Sequence, residues 1–409
     1  MKGNLEGELS MKKLKWLVTS IIATLLLVAG AQTVHAASMN FSVTPVLPSN
    51  QVNPNEGYFD LLLDPGKTQT LEVQLTNSTD KKVTVETSIA SATTNINGLV
   101  EYSPNAIKPD SSLKYNLKDQ VKAPSETVLE PKSQATVKLE VNMPKDAFNG
   151  VVAGGVTFKQ KASETAQSNK SQGVTINNEY QYVVALLMRQ QKGTVPPTLA
   201  LNSVAPSQVN ARNVINANLQ NAAMGYLNQM NTTATVTGIS DKSLKYNYNN
   251  SNMQMAPNTN FDLPIPVSNT GAIEEGTNSQ PLKPGKYHLH MVVYGQKDTN
   301  GKYETAVDGK NVKYAYRWVF DKDFEVTGEQ ARTLNAKDVT VKHDKFNWWW
   351  LIIAAIFLIL LLILFFILWK RRKKDEEEDP EKAALEAKLA EAEAKLKANE
   401  NADGSADEK

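Results

Sequence analysis

DAFNGVVAGGVTF, residues 146–158, crowds three glycines, Gly150, Gly154 and Gly155, into six positions. Glycines this dense either cradle a phosphate or free a strand's backbone for close approach. A phosphate loop needs a Lys-Ser/Thr pair after the glycines and then a helix. Here Val156-Thr157-Phe158 and the polar Lys159-Gln160-Lys161 follow instead. The Gly150-x-x-x-Gly154-Gly155 spacing also misses the dinucleotide fingerprint. The stretch therefore reads as a turn after Met143-Pro144 that enters a strand. Its small residues permit a bulge or close sheet packing.

The neighbouring sequence supports the strand. TQTLEVQLTN (68–77) alternates Leu71, Val73 and Leu75, and KKVTVETSIA (81–90) puts Val83, Val85 and Ile89 on one parity. ATVKLEVNM (135–143) alternates Val137, Leu139, Val141 and Met143. Period-2 alternation builds strands with one face in a core. Breakers such as Asp64-Pro65-Gly66, Asn97-Gly98 and Glu130-Pro131 separate them. Many short strands between turns predict an antiparallel sandwich. KQKASETAQSNKSQG (159–173) has no apolar periodicity, and the boundary is drawn there. The predicted units are a β-sandwich over 37–165, a linker or hairpin loop at 166–173, and a second β-sandwich over 174–335. YHLHMVVYG (287–295) and YRWVFDKDFEV (316–326) supply strands to the second.

Both ends carry apolar segments. Lys12, Lys13 and Lys15 precede a largely apolar run from Leu17 to Gly30, and Val34-His35-Ala36 places small residues where a signal peptidase reads. A leader over 1–36, cleaved after Ala36, is expected, with Met11 as an alternative start. After a juxtamembrane piece, 336–347, WWWLIIAAIFLILLLILFFILW (348–369) runs without a charge. At about 1.5 Å per residue it is long enough to span a bilayer core as a helix. Trp348, Trp349, Trp350 and Trp369 mark its ends, where indoles prefer the interface. Lys370, Arg371, Arg372, Lys373 and Lys374 follow and predict a cytoplasmic tail, 370–409, with the bulk of the chain outside. That tail reads as a short charged helix opened at Pro380, next to lipid that its basic run contacts.

Composition excludes several functions. The 409 residues hold 44 Lys+Arg against 43 Asp+Glu, so no basic field attracts nucleic acid. There is no cysteine, which removes disulfides, Cys-ligated zinc and a Cys nucleophile. His288 and His290 lie two apart on one strand face. They are half of a metal site or simply a polar face, and no third ligand is signalled. Glu274-Glu275 and the Asp321/Asp323 pair read as solvated charge. No nucleophile elbow is present. The expectation is a non-catalytic chain without cofactor or metal. YNYNNSNMQM (246–255) sets Tyr246, Tyr248, Met253 and Met255 among asparagines, a composition shared by adaptable binding surfaces. With Tyr226 these form a candidate ligand surface. The competing assignment is side chains that plug a sandwich.

The ordered series FSVTPVLPSNQ, GYFDLLLDPGKTQTLEVQLTN, VNMPKDAFNGVVAGGVTF, MQMAPNTNFDLPI, LKPGKYHLHMVV and YRWVFDKDFEVT, then a span and a charged tail, resembles the WxL-interacting proteins of Gram-positive cell surfaces. The resemblance runs from about Asn40 to the tail. It implies two tandem immunoglobulin-like sandwiches, the first binding peptidoglycan and the second a host ligand. It also implies WxL-domain surface proteins as partners, and host extracellular-matrix protein as a further ligand. No LPxTG sorting signal is present, so the span would be the anchor. The expected function is a cell-surface adaptor. A passive stalk and a cell-wall glycan hydrolase with a distant carboxylate pair are the alternatives.

Overall fold

Alternating side chains sort this chain into two sandwiches. In the computed structural model, residues 40–161, 180–270, 279–342 and 347–403 are described. The leader 1–36 with Met11 and Ala36, the linker 166–173, Glu274-Glu275 and His343 lie outside the described residues, and Lys374 is described only through its backbone.

The first sandwich takes β1 (Phe41–Val46), β2 (Phe59–Leu62), β3 (Thr68–Asn77), β4 (Val83–Ser91), β5 (Thr93–Thr94), β6 (Val100–Glu101), the single-turn helix α1 (Leu117–Gln120), β7 (Val121–Lys122), β8 (Glu126–Leu129), β9 (Gln134–Asn142), β10 (Val152–Gln160) and β11 (Gln181–Arg189). One sheet has the order β1-β3-β9-β7 and the other β2-β11-β10-β4-β8. Leu71 and Val73 of β3 pair with Leu139 and Val137 of β9 in register, and with Leu75 and Val141 all six are buried in one core. The second sandwich takes β12 (Ala200–Val209), β13 (Arg212–Asn221), β14 (Leu227–Gly238), β15 (Lys245–Met255), β16 (Thr259–Pro266), β17 (Gly285–Lys297), β18 (Tyr303–Val307) and β19 (Lys310–Val326). Its sheets are β12-β13-β16 and β15-β14-β17-β19-β18. Tyr287, Leu289, Met291 and Val293 carry the alternation of β17 into its core. The chain is mainly β, its strands arranged in the sheets of two sandwiches.

Three features differ from expectation. Strand β11, expected in the second unit, completes the first sandwich. It pairs antiparallel with β10 along its length and parallel with β2, a departure from a purely antiparallel fold. The Arg189 guanidinium forks onto Asp60 across that parallel pair, Nε to Oδ1 at 2.6 Å and Nη2 to Oδ2 at 3.1 Å. Next, a helix α2 (Gly328–Lys337) follows the last strand. Thr327 and Gln330 close a capping box at its start, a T-x-x-Q pattern visible in the sequence. Beyond it, buried Asp338 accepts from Asn213 N and Thr340 N, both at 2.8 Å, and from the Ser268 hydroxyl. Burial pushes its pKa up, but these hydrogen bonds outweigh burial and hold it below the usual carboxylate value. Residues 338–341, expected as juxtamembrane chain, are thus tied into the sandwich. Finally, the apolar segment and the tail form one helix, α3 (Trp349–Asp403), with Pro380 inside rather than at a new start. Alanine, lysine and glutamate on both sides are strong helix formers, which offsets the donor that Pro380 lacks. Its Trp349–Lys373 stretch is long and apolar enough to cross a membrane.

The glycines of the opening stretch now have a physical role. Even positions of β10 (Val152, Val156, Phe158) face the first core, whereas Val151 and Ala153 belong to a separate small cluster. A Cβ on Gly154 would sit 2.2 Å from the Ala90 carbonyl oxygen and 2.5 Å from Leu117 Cδ2. A Cβ on Gly155 would sit 2.6 Å from the Tyr102 carbonyl oxygen. The excursion 102–117 therefore crosses β10 on its bare backbone and returns to insert Leu117 into the core. Gly154→Ala and Gly155→Ala should each destabilise by about 1–3 kcal/mol through overpacking. Gly57→Ala, with nothing within 4 Å of its Cβ, should stay within about 0.5 kcal/mol. Thermal unfolding of the detergent-solubilised chain checks both.

Candidate functional site

The two sandwiches belong to one compact unit that ends at Val341. Their junction holds a small apolar cluster of Ala92, Val151, Ala153, Leu187 and Ala256, with Tyr58, Tyr102 and Tyr226 packed on it. At Gly150, φ is +106° and a Cβ would fall 2.3 Å from the Met224 carbonyl oxygen. The adjacent Val151 N–H donates to that oxygen at 2.8 Å. Gln254 N donates to Gly98 O at 2.7 Å, and the Thr94 and Thr259 hydroxyls meet at 2.7 Å. Backbone and small side chains thus weld the turn before β10 and the β5–β6 hairpin onto the β13–β14 connection, β15 and β16.

Asp110 is the polar centre of this junction. It is 8% exposed. Its carboxylate accepts from Ser112 N at 2.8 Å, from Gln220 Nε2 at 2.9 and 3.0 Å, and from Asn260 Nδ2 at 2.5 Å. Burial pushes its pKa up, but these donors outweigh burial and hold the carboxyl below its ordinary value. The network continues over the second sandwich. Asn218 donates to Asn260 Oδ1 at 3.2 Å and to Asp262 Oδ1 at 2.8 Å, and Asn202 donates to Asn218 Oδ1 at 3.0 Å.

Beside Asp110 opens a cavity of about 280 Å³. Its walls are the end of β4 with Thr93 and Thr94, the excursion from Ser103 to Lys118, and Asn258–Asn260 of the second sandwich. A second hollow of about 260 Å³ lies across the Ile107-Lys108-Pro109 ledge, against Asn218, Phe261 and Asp262. The ledge, Thr94 and Asn260 border both. Amides and hydroxyls dominate the polar lining. That inventory can donate to and accept from a neutral hydroxylated or amide-bearing ligand, and it supplies no nucleophile–base pair.

The candidate ligand surface read from the sequence does not assemble. Met253 and Met255 are 1% and 0% exposed in the second core, because odd positions at the end of β15 point inward. Tyr246 and Tyr248 are half-buried against that core, Tyr246 beside Tyr287 and Tyr248 with its hydroxyl 3.5 Å from Met253 Sδ. Burial raises the pKa of both. Tyr226 sits in the junction, its hydroxyl 3.1 Å from that of Tyr102, and burial pushes its pKa well up. Asn247, Asn249 and Asn252 are the exposed residues of the stretch. The residues lining the cleft were missed. Their signal was the long span between Glu101 and Leu117, broken by Pro104 and Pro109 and lacking alternation. A loop of that length in a compact domain is commonly functional.

His288 and His290 stand on the solvent face of β17 opposite Asp323 and Asp321. His288 Nδ1 lies 2.6 Å from Asp323 Oδ1, and His290 Nδ1 lies 2.7 Å from Asp321 Oδ1. Among the described residues no group of three His, Cys, Asp or Glu could hold a metal ion. The Asp323 hydrogen bond raises the His288 pKa above its ordinary value. Hydrogen bonds from His290 and then His288 lower that of Asp321. Apart from the sandwiches, Trp348, Trp349, Trp350 and Trp369 are exposed at the ends of the apolar helix segment, and Lys373 Nζ lies 4.9 Å from the Trp369 ring centre.

Comparison with known proteins places two family models on the chain. The WxL Interacting Protein peptidoglycan binding domain matches residues 41–160, and the WxL Interacting Protein host binding domain matches residues 171–336. The second match begins before β11, which pairs into the first sandwich. No curated protein matches. Among solved structures, a chaperone–tip adhesin complex of CFA/I fimbriae biogenesis is 10% identical, with 69% of this chain and 99% of that chain covered and a TM-score of 0.26. The E. coli chaperone DraB is 12% identical, with 71% and 98% covered and a TM-score of 0.23. The PapD-like domain of human CEP192 is 11% identical, with 40% and 97% covered and a TM-score of 0.23.

Two titrations test the electrostatics. Because the Asp110 pKa is lowered by folding, its stabilisation is full above the ordinary carboxylate pKa of about 3.9 and is lost as pH falls through the lower folded value. Asp110→Asn should therefore flatten the loss of thermal stability as pH falls below the ordinary carboxylate pKa of about 3.9. Asp110→Ala should cost about 1–3 kcal/mol at neutral pH by stranding its donors. For His288 the sign is opposite. Its raised pKa contributes stability below about 6.5 that is lost as pH rises through the folded value. Asp323→Asn should move the His288 resonance titration downward in NMR spectra of histidine-labelled protein.

Proposed function

The chain belongs to the WxL-interacting protein family, and from that premise we propose that it is a membrane-anchored, non-catalytic adaptor at the cell surface. The first sandwich holds peptidoglycan, and the second holds a WxL-domain surface protein or a host extracellular-matrix protein. The observation that carries this reading is the pair of binding-domain matches, which together extend from residue 41 to residue 336. The apolar helix segment Trp349–Lys373 supports a single span. The basic run Lys370–Lys374 supports a cytoplasmic tail with both sandwiches outside, and the terminal tryptophans support seating at the bilayer interfaces. The polar, nucleophile-poor lining of the cleft supports binding without turnover.

A second reading is a passive spacer, favoured by the welded junction, which makes the two sandwiches one stiff unit. The full chain in lipid nanodiscs separates the two. An adaptor co-sediments with purified sacculi and captures a WxL-domain protein in the same experiment. A spacer does neither. Release of reducing ends from sacculi would overturn the non-catalytic assignment.

A further inference from the structure

The cleft at the junction has a more specific chemistry than its fold requires. Its free polar groups are chiefly amides and hydroxyls. Asn116 keeps its Nδ2 and Asn258 its Oδ1 without a hydrogen-bond partner among the described residues. Hydroxyl and acetamido groups both donate and accept, as do primary amides, so the two inventories match. Apolar patches from Ile89, Ala92, Ile107 and Pro109 lie between these groups, suited to an acetyl methyl. The volume of each hollow falls near the low end of the range for ligand pockets, about 300–1,000 Å³, and the two sit side by side across one ledge. That repeat suits successive units of a chain better than one large ligand.

Charge narrows the ligand further. The carboxylate facing the first hollow, Asp110, is already saturated by Ser112, Gln220 and Asn260. Lys108 and Lys118 also line that hollow, are exposed, and make no ion pair among the described residues. Two lysines against the one carboxylate of Asp110 leave the first hollow net positive, whereas Asp262 lines the second, so the first hollow suits an anion on the ligand, best met by a charge-assisted hydrogen bond.

We propose that the cleft between the two sandwiches binds an N-acetylated glycan bearing carboxylates, with Lys108 and Lys118 taking the carboxylate and Asn116 and Asn258 taking the sugar hydroxyls and acetamido groups. This rests on the peptidoglycan-binding reading and deepens it. It places the ligand on both sandwiches at once, because Asn258 belongs to the second.

The test uses the full chain in nanodiscs and three soluble probes: a disaccharide–peptide fragment of peptidoglycan, a neutral chitooligosaccharide and inorganic phosphate. Lys108→Glu with Lys118→Glu reverses the charge of two exposed side chains, and Ser103→Trp fills the hollow from the excursion. Calorimetry should show the fragment binding more tightly than the chitooligosaccharide. The double variant should lose at least about tenfold in affinity for the fragment, as expected when charge-assisted contacts go, and leave the chitooligosaccharide affinity unchanged. Ser103→Trp should weaken both. Hydrogen exchange of the unmutated chain should slow at 103–118 and 258–260 when the fragment is added. Unchanged fragment binding in both variants would overturn the site while leaving peptidoglycan binding intact. Displacement of the fragment by inorganic phosphate at equal concentration would overturn the glycan in favour of a phosphate polymer. Failure of the unmutated chain to bind sacculi at all would overturn the underlying reading itself.

Discussion

Two absent Cβ atoms on one strand govern the architecture. With any side chain at Gly154 or Gly155, the backbones of Ala90 and Tyr102 could not approach β10 as they do. The excursion 102–117 would then have no path across the sheet, and Leu117 would not reach the first core. Without that excursion Asp110 would not meet Gln220 and Asn260, and the cleft would lose its longest wall. Gly150 repeats the device one turn earlier, where the second sandwich's Met224 carbonyl needs the same freedom. Domain docking thus depends on backbone shape before it depends on apolar area, and the small size of the junction cluster is consistent with that order.

A chain without cysteine must fix its cross-connections by other means. Three buried carboxylates do so. Asp60 closes the parallel β2–β11 pair through Arg189, Asp110 ties the excursion to the second sandwich, and Asp338 ties the segment after α2 to β13 and Ser268. Buried charge is costly unless its hydrogen bonds are complete, so each carboxylate tolerates one arrangement of its donors and penalises the rest. Such ties contribute specificity more than net stability, which comes from the two apolar cores.

Period-2 alternation was legible wherever a strand has one wet face. Leu71, Val73 and Leu75, or Tyr287, Leu289 and Met291, declare their sheet without help from tertiary context. Legibility failed where both faces are covered. Val151, Ala153 and Leu187 point into the junction while Val152, Leu186 and Met188 point into the core, so β10 and β11 read as apolar runs without parity. Without parity, β11 reads with the unit that follows the linker, whereas its strand pairing is with β10 and β2 of the first sandwich. The composition of YNYNNSNMQM misled for a related reason. Three of its asparagines, Asn247, Asn249 and Asn252, are outward and its tyrosines and methionines inward, a strand pattern that resembles a binding loop when read as composition alone. The cleft was illegible because two of its walls, Thr93–Thr94 and the excursion, meet a third, Asn258–Asn260, from far along the chain, Asn260 lying 150 residues from Asp110.

Because the cleft's walls come from both sandwiches, its shape and the docking of the sandwiches are one equilibrium. A ligand that fits only the docked geometry stabilises docking by the logarithm of its concentration over its dissociation constant. A wall polymer presents its repeating units at high local concentration, so even weak contacts per unit hold the junction closed. The second sandwich would then be oriented by what the cleft grips, and any partner on its outer faces would be presented in a direction set by the wall. Coupling of this kind needs no moving part. It needs a junction assembled from backbone hydrogen bonds and small side chains, which lose their fit after small displacements, and the contacts at Gly150, Gly98 and Thr94 are of that kind.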